Sequence, residues 1–146
     1  ALLRGLIERE VAPTATRIRA LADAGAADPA ATIRLLVTTA SALIANEKMF
    51  ATPRIVLSVA PRFREIAMFY RERVIDEAAG AIARLVRQGV KRGVFRDVDG
   101  DAAARMVMGP LLIYAMRRHV FGARDKSSAE ARAAAHLDIL MNGLTP

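Results

Sequence analysis

The sequence predicts an all-α fold, a helical bundle of about six helices. Apolar residues recur with the spacing of an amphipathic helix along most of the 146 residues, and no stretch alternates apolar and polar residues as a half-buried strand does. Prolines, glycines and capping residues divide this pattern into segments of helix length. A chain of this length is large enough to bury its own core, so we expect a single domain over residues 1–146.

The composition excludes several classes of site. No cysteine is present, which rules out disulfides, thiol nucleophiles and cysteine metal sites and fits a reducing cytoplasm. His119 and His136 lack a second imidazole at metal-binding spacing, so we expect no metal and no cofactor. The longest uncharged stretches, residues 35–46 and 106–116, are too short to cross a bilayer, and residues 1–4 do not begin a secretory signal. These observations favour a soluble cytoplasmic protein without a membrane partner.

The first two helices are delimited by prolines and caps. Residues 2–24 place apolar side chains near helical spacing, Pro13 requires a kink or break, and Gly25 ends the segment. Asp28 and Pro29 then supply the N-cap and the first-turn proline of a second helix.

The next two helices differ in length. A short third helix is predicted over residues 54–60, opened by Pro53. The fourth helix is long, about residues 64–91, with one apolar stripe, and Gly93 ends it. Its last turns begin an acid-free run of cations that is typical of a solvated helix end and is weak evidence for nucleic-acid binding. The run consists of Arg84, Arg87, Lys91, Arg92 and Arg96.

The fifth helix is predicted over about residues 101–121. The acidic residues before it do not form a calcium loop, because Ala102 and Met108 stand where that loop needs a glycine and a glutamate, so they predict helix capping instead. Residues 106–116 are apolar on every face, and we therefore expect this helix to be covered on more than one side. Pro110 should bend it.

A final helix opens with a capping box formed by Ser127 and Glu130 and presents one apolar stripe. Packed against its own core, this stripe can cover only one side of the fifth helix. We therefore predict a homodimer in which the last two helices of two copies form a four-helix bundle. The predicted interface consists of Ala133, Leu137, Leu140, Met141 and Leu144.

No catalytic constellation accompanies these helices. The sequence has no glycine-rich phosphate loop, no nucleophile elbow and no carboxylate pair within an apolar stripe, so we expect no catalytic residues and no enzyme. His119 ends the fifth helix and His136 borders the final stripe, and both are interpreted as structural.

Several short motifs occur in a distinctive order. Residues 54–66 read RIVLSVAPRFREI, and they are followed by Phe69-Tyr70, by the turn Gly93-Val94-Phe95-Arg96 and by Asp99 before the alanines 102–104. This order resembles the C-terminal domain of tetracycline-repressor-like (TetR/AcrR) regulators. Arg64 stands where that family has a proline, so the junction of the third and fourth helices can bend differently.

The resemblance implies a ligand-sensing and dimerising domain of a bacterial transcriptional repressor. Residues 1–24 would include the connecting helix from an N-terminal helix-turn-helix module that is missing from this sequence, and operator DNA would be bound only through that module. A small, usually apolar effector would occupy a cavity between helices, move the connecting helix and release the DNA. A helical interaction or scaffold module without a ligand and a small helical enzyme are the alternatives.

We predict the effector cavity between the fourth and fifth helices. Tyr70 is the candidate for hydrogen bonding, and Met106 can repack around different ligands. Arg117 or Arg118 is a candidate for orienting an anionic group, with a solvent-exposed role as the alternative. The predicted lining is Phe63, Ile66, Phe69, Tyr70, Met106, Gly109 and Ile113.

Overall fold

The computed structural model describes residues 2–146 and contains eight α-helices, with no strand in that range. The helices are α1 Leu2–Leu6, α2 Ala12–Ala24, α3 Pro29–Ile44, α4 Ala51–Val59, α5 Arg64–Tyr70, α6 Glu77–Lys91, α7 Gly100–His119 and α8 Ala129–Leu144. π-helical segments join α1 to α2 (Ile7–Val11) and α5 to α6 (Arg71–Asp76), and a 3-10 turn, Lys48–Phe50, precedes α4. Because each π segment continues its helix, the structure has the six helical runs that the sequence predicts. Residue 1, part of the predicted range 1–24, lies outside the described residues.

The first π-helical segment ends at Val11, two residues before Pro13, where the sequence predicts a kink. Proline removes one backbone donor and its ring crowds the preceding turn, so the helix widens there and continues. The short third helix, α4, begins at Ala51, three residues before the predicted start, because Pro53 fits within its first turn.

Two aspartates cap helices as predicted. Oδ1 of Asp28 accepts a hydrogen bond of 3.2 Å from the backbone N–H of Ala31 at the start of α3. Oδ1 of Asp99 accepts one of 2.8 Å from the N–H of Ala102 at the start of α7. These side chains satisfy donors that the first helical turn leaves without a partner.

The predicted cap of the final helix is wrong by one residue. Oγ of Ser128 accepts a hydrogen bond of 3.1 Å from the N–H of Ala131, so Ser128 is the N-cap of α8. Ser127 instead donates its hydroxyl to Oδ1 of Asp125 at 2.7 Å. Asp125 competes for the serine that the capping-box pattern selects, and the helix begins one residue later.

The core is centred on α6, which packs against α2 and α7, while α8 packs against α3. Ile33, Leu85, Val86 and Val107 are among its fully buried side chains. These residues come from α3, α6 and α7, so the three helices share one apolar interior. This shared interior holds α3, α6 and α7 together, and the outward side of α7 is not covered by another helix.

The turn after α6 is held by a close contact at Gly89. A Cβ placed on Gly89 would lie 2.1 Å from Cδ2 of Phe95, so only glycine admits the phenyl ring at this position. Gly93 has a φ of 75° and reverses the chain, as the sequence predicts for the helix end. Phe95 is thereby buried, and the following residues lead into α7.

Candidate functional site

A cleft of about 1030 Å³ lies between α7 and α8. Because α7 packs along α6 and α8 packs along α3, the two C-terminal helices make little contact with each other. Buried side chains of Leu140 and Leu144 form part of the cleft floor, and Ser41 and Ile44 of α3 also line it. The cleft is therefore bounded by three helices and is open to solvent on the fourth side.

The walls of the cleft are apolar in the middle and charged at both ends. Met106, Pro110 and Ile113 of α7 and Ile139 of α8 line the middle. The end at the C-terminus of α7, called the basic end, consists of Tyr114, Arg117, Arg118, Asp125 and Arg132; all but Arg118 line the cleft. The end at the N-terminus of α7, called the acidic end, consists of Arg96, Asp97 and Asp99.

The basic end is organised around Tyr114. The guanidinium of Arg132 lies over its ring, with 3.8 Å between Cζ and the ring centroid. Nη1 of Arg118 donates a hydrogen bond of 3.3 Å to the tyrosine hydroxyl, while Nε of Arg118 is buried and has no hydrogen-bond partner within residues 2–146. Hydrogen bonds from the hydroxyl and backbone N–H of Ser127 hold the pKa of Asp125 below its ordinary value. Asp125 is therefore ionised at neutral pH.

The acidic end is held by backbone contacts. Nε of Arg96 donates to the carbonyl of Gly143 at 2.7 Å, and its own N–H donates to the carbonyl of Leu144 at 2.8 Å. The N–H of Ala102 lowers the pKa of Asp99, because it bonds the ionised carboxylate. Both contacts tie the end of α8 and the start of α7 to the segment between α6 and α7.

An apolar surface surrounds the mouth of the cleft. Met106 is 64% exposed, Ile113 is 59% exposed and Ile139 is 77% exposed. A Cβ added at Gly109 or Gly143 would meet no neighbouring atom within 4 Å. This surface, called the outer face, consists of Met106, Gly109 and Ile113 of α7 and Ala135, Ile139 and Gly143 of α8.

The predicted effector residues fall into two separate groups, and the first lies on α5. Phe63 is 57% exposed, Ile66 is half-buried, and Phe69 lies under the guanidinium of Arg4 at 4.4 Å from Cζ to the ring centroid. Burial of the Tyr70 side chain raises its pKa to about 12. This group packs with α1 and α4 and lies away from the cleft.

The second group lies on α7. Met106 and Ile113 line the cleft, and Gly109 lies between them on the outer face. Because α5 packs with α1 and α4 whereas α7 packs with α6 and α3, the structure does not bring the two groups together in one cavity. Sequence spacing could not separate them, since the fourth helix has an apolar stripe and the fifth is apolar on every face over residues 106–116, so both patterns allow a shared cavity.

The predicted dimer residues lie in the core of the protomer. Ala133, Leu137, Leu140, Met141 and Leu144 are all buried, and they belong to the cluster that includes Ile33 and Leu36 of α3. The stripe therefore covers α3 of its own chain, and these side chains are not on the surface of the protomer. The large apolar side chain that α8 exposes is Ile139, which lies outside the predicted stripe.

The two histidines make backbone contacts. Nε2 of His119 lies 2.7 Å from the carbonyl oxygen of Ile44, and its ring stacks on Phe50 with 4.9 Å between centroids. Nε2 of His136 lies 3.2 Å from the carbonyl oxygen of Met106, beside the cleft. His119 thus joins the end of α7 to the end of α3, and His136 joins α8 to α7.

A group of charged residues joins the first helical run to α5 and α6. Nε of Arg73 lies 3.3 Å from Oε1 of Glu8, and Arg73 also pairs with Glu77. Nη1 of Arg19 lies 3.2 Å from Oε1 of Glu77, whose side chain is largely buried. Both π-helical segments contribute to this group, which links residues 2–24 to the middle of the bundle.

Comparison with known proteins identifies the family. A sequence model of the AefR-like transcriptional repressor C-terminal domain, a TetR-family domain, matches residues 31–140, which is most of the chain. The chain belongs to this family. The TetR-family assignment, the all-α fold and the function of a regulatory domain of a transcriptional repressor are thereby confirmed, and this is a family of regulators, not a class of enzymes.

A solved structure shows the same fold. The domain superposes with a TM-score of 0.77 and 16% identity on a protein described as a TetR-family transcriptional regulator from Mesorhizobium loti MAFF303099, covering 98% of this chain and 75% of that one. No curated protein sequence matches the chain significantly. Within residues 2–146, no helix combines the length and the apolar character needed to cross a bilayer.

Proposed function

We propose that this domain senses a small, largely apolar effector and forms a homodimer in a cytoplasmic bacterial repressor. Operator DNA would be bound through an N-terminal module outside these 146 residues, and effector binding would release it. Residues 1–24 would include the connecting helix to that module. The family match supports a regulator over a scaffold module, and the geometry of α7 and α8 supports the location of both activities.

The observation that carries the proposal is the combination of an open cleft with an apolar mouth. A soluble protomer rarely leaves large apolar side chains grouped around a concave surface unless a ligand or partner covers them. Met106, Ile113 and Ile139 are such a group. Their position on the last two helices suits a four-helix bundle formed about a two-fold axis, with the outer face in place of the stripe predicted from the sequence.

The effector and the second copy can bind in the same region, because the second copy would contact the outer face and the effector would lie deeper, on the floor of the cleft. Gly109 and Gly143 permit close approach of helices on the outer face. The cleft floor at Leu140 and Ser41 lies below that surface. Pairing of two outer faces would cover the mouth of each cleft and leave room for a small molecule beneath.

Coupling to the connecting helix would run through α6. This helix packs on both α7 and α2, so a displacement of α7 by an effector reaches the first helical run. The ion pairs of Arg73 and Glu77 with Glu8 and Arg19 hold that run against α6. The connecting helix is thus joined to the cleft by two packed interfaces.

Sedimentation velocity of the 146-residue chain tests the outer face. We expect a dimer for the parent and a folded monomer for Ile139→Arg, because the new charge would be buried between two copies while the protomer core is unchanged. Leu35→Arg is the matched control, since Leu35 is also an exposed apolar residue but lies on α3 away from the outer face. It should remain a dimer. A monomeric parent, or a dimer that survives Ile139→Arg, would contradict the assigned face.

A further inference from the structure

The basic end of the cleft has more cationic than anionic groups. Arg117, Arg118 and Arg132 form no ion pair with any carboxylate in the described part of the chain. Asp125 is the one acidic residue among the cleft-lining side chains of this end, and its Oδ1 is bonded by Ser127. Arg117 and Arg132 therefore line this end with one carboxylate that Ser127 already bonds, and Arg118 adds a third positive charge beside Tyr114.

Tyr114 fixes the geometry of these charges. Arg132 stacks on its ring and donates from Nη1 to the carbonyl of Ser127, and these two contacts hold the guanidinium beside the cleft. Nη1 of Arg118 donates to its hydroxyl, so a second positive charge lies near the same side chain. The buried Nε of Arg118 has no acceptor within residues 2–146, and a partly desolvated guanidinium without an anion is unfavourable. The basic end thus has more positive than negative charge, with Asp125 as the one carboxylate in its lining.

The opposite end has the reverse balance. Asp97 and Asp99 line it together with one cation, Arg96, which is bonded to backbone carbonyls. Arg87 and Arg105 are not part of the lining, but their charges also act on Asp99. A ligand with negative charge at both ends would be repelled from this end. The apolar middle, lined by Met106, Pro110, Ile113 and Ile139, suits an uncharged hydrocarbon or aromatic body.

We propose that the α7–α8 cleft binds an amphipathic monocarboxylate. The carboxylate lies between Arg117 and Arg132 next to Tyr114, and the apolar body extends along the middle of the cleft towards Ile139. Planar guanidinium groups pair with carboxylates through two parallel hydrogen bonds, which gives both charge and orientation. This inference specifies the effector class and rests on the proposed function in placing the effector in the cleft.

Isothermal titration calorimetry of the whole 146-residue chain tests the inference with two probes of equal tail length. Dodecanoate carries the proposed headgroup, and dodecyltrimethylammonium carries the opposite charge; both are used below their micellar concentrations. We expect dodecanoate to bind at least about tenfold more tightly, the scale on which one charge-assisted hydrogen bond changes a dissociation constant. Equal affinity for the two probes, or no binding of dodecanoate, would overturn the proposal.

Three variants separate a specific site from general attraction to a basic protein. Arg117→Gln and Arg132→Gln should each weaken dodecanoate binding by about tenfold and leave the affinity for the cationic probe unchanged or higher. Arg62→Gln removes the same charge between α4 and α5, away from the cleft, and should change dodecanoate affinity little. Arg117 is exposed, so its replacement tests the site even if Arg132→Gln disturbs Tyr114. An equal loss in all three variants would indicate non-specific attraction and would refute the site.

The two proposals fail in different ways. If Ile139→Arg is a monomer and the parent a dimer, but dodecanoate shows no preference, then the outer face stands and the carboxylate assignment is wrong. If the parent binds dodecanoate through Arg117 but Ile139→Arg remains a dimer, the carboxylate site stands and the dimer face is wrong.

Discussion

Helices α6 and α7 pack against each other along the centre of the molecule, yet their outward sides differ. Outward positions of α6 are cationic, as at Arg84 and Arg87, and its inward positions are small or apolar. Outward positions of α7 include Met106 and Ile113. The apolar side of α6 is thus buried within the chain and its charged side faces water. In contrast, α7 has an apolar side that the chain does not cover. The comparison shows which surface of the bundle is available for a ligand or a second copy.

The cations of the two helices also differ in their partners. Nη2 of Arg87 lies 3.0 Å from Oδ1 of Asp101, and Nη2 of Arg84 lies 3.9 Å from Oδ1 of Asp23, so these two outward charges of α6 are paired at the surface. Such exposed pairs contribute little to stability. Arg117 and Arg118 on α7 have no carboxylate partner among the described residues. Positive charge without a partner therefore occurs on the same helix as the uncovered apolar surface.

The largest expected effect compares one residue of each helix. Val86 of α6 is fully buried, so Val86→Asp places a charge in the core and should cost at least about 3–5 kcal/mol, much of the stability of a small domain. Ile113→Asp places the same side chain on the outer face and should leave the protomer folded. Far-UV circular dichroism during urea unfolding measures both.

Under the same conditions, Val86→Asp should unfold at a much lower urea concentration than the parent, and Ile113→Asp should keep a cooperative transition while sedimenting as a monomer. If both variants unfold to the same extent, then Ile113 belongs to the core in solution and the contrast between the two helices is wrong.

The fold could be predicted because its signals are local. Proline, glycine and aspartate delimit helices through backbone geometry and capping, so Asp28 and Asp99 are found at the predicted positions. The predicted Ser127 cap is wrong because the hydroxyl of Ser127 donates to Asp125 instead. Asp125 lies outside the four residues of the capping-box pattern, so the pattern does not include this contact. Local chemistry therefore determines the number of helices, and small polar contacts determine their ends.

The site was harder to predict from the sequence than the fold, because its position depends on which helices pack against each other. The stripe at Leu137 and Leu140 is apolar whether α3 or a second copy covers it, and the sequence does not distinguish these. Ile139, isolated on the polar side of α8, is the signal that could have indicated the outer face. Tyr114 and Arg118, four residues apart on α7, similarly indicate a polar contact at the basic end.

A smaller effect tests how closely α6 is packed at its end. Gly89→Ala would place a methyl group within the phenyl ring of Phe95 and should destabilise the protomer by about 1–3 kcal/mol through overpacking. Gly80→Ala is the matched control on the same helix, where the new Cβ would lie 3.5 Å from the end of the flexible Arg84 side chain. It should stabilise the helix by about 0.5–1 kcal/mol, since alanine loses less backbone entropy. If both variants shift the urea midpoint in the same direction relative to the parent, this packing is contradicted.

The smallest expected effect concerns the start of α8, which positions Arg132 about one helical turn further on and Ile139 about three turns further on. Ser128→Ala should lower the free energy of unfolding by about 1 kcal/mol, because the N–H of Ala131 loses its acceptor. Ser127→Ala leaves that cap in place and should cost less, since its hydroxyl bonds an exposed carboxylate. Thermal unfolding of the two variants at neutral pH measures the difference. A larger loss of stability for Ser127→Ala than for Ser128→Ala would favour the capping box predicted from the sequence. The start of α8 would then move by one residue, and the alignment of the basic end with α7 would change.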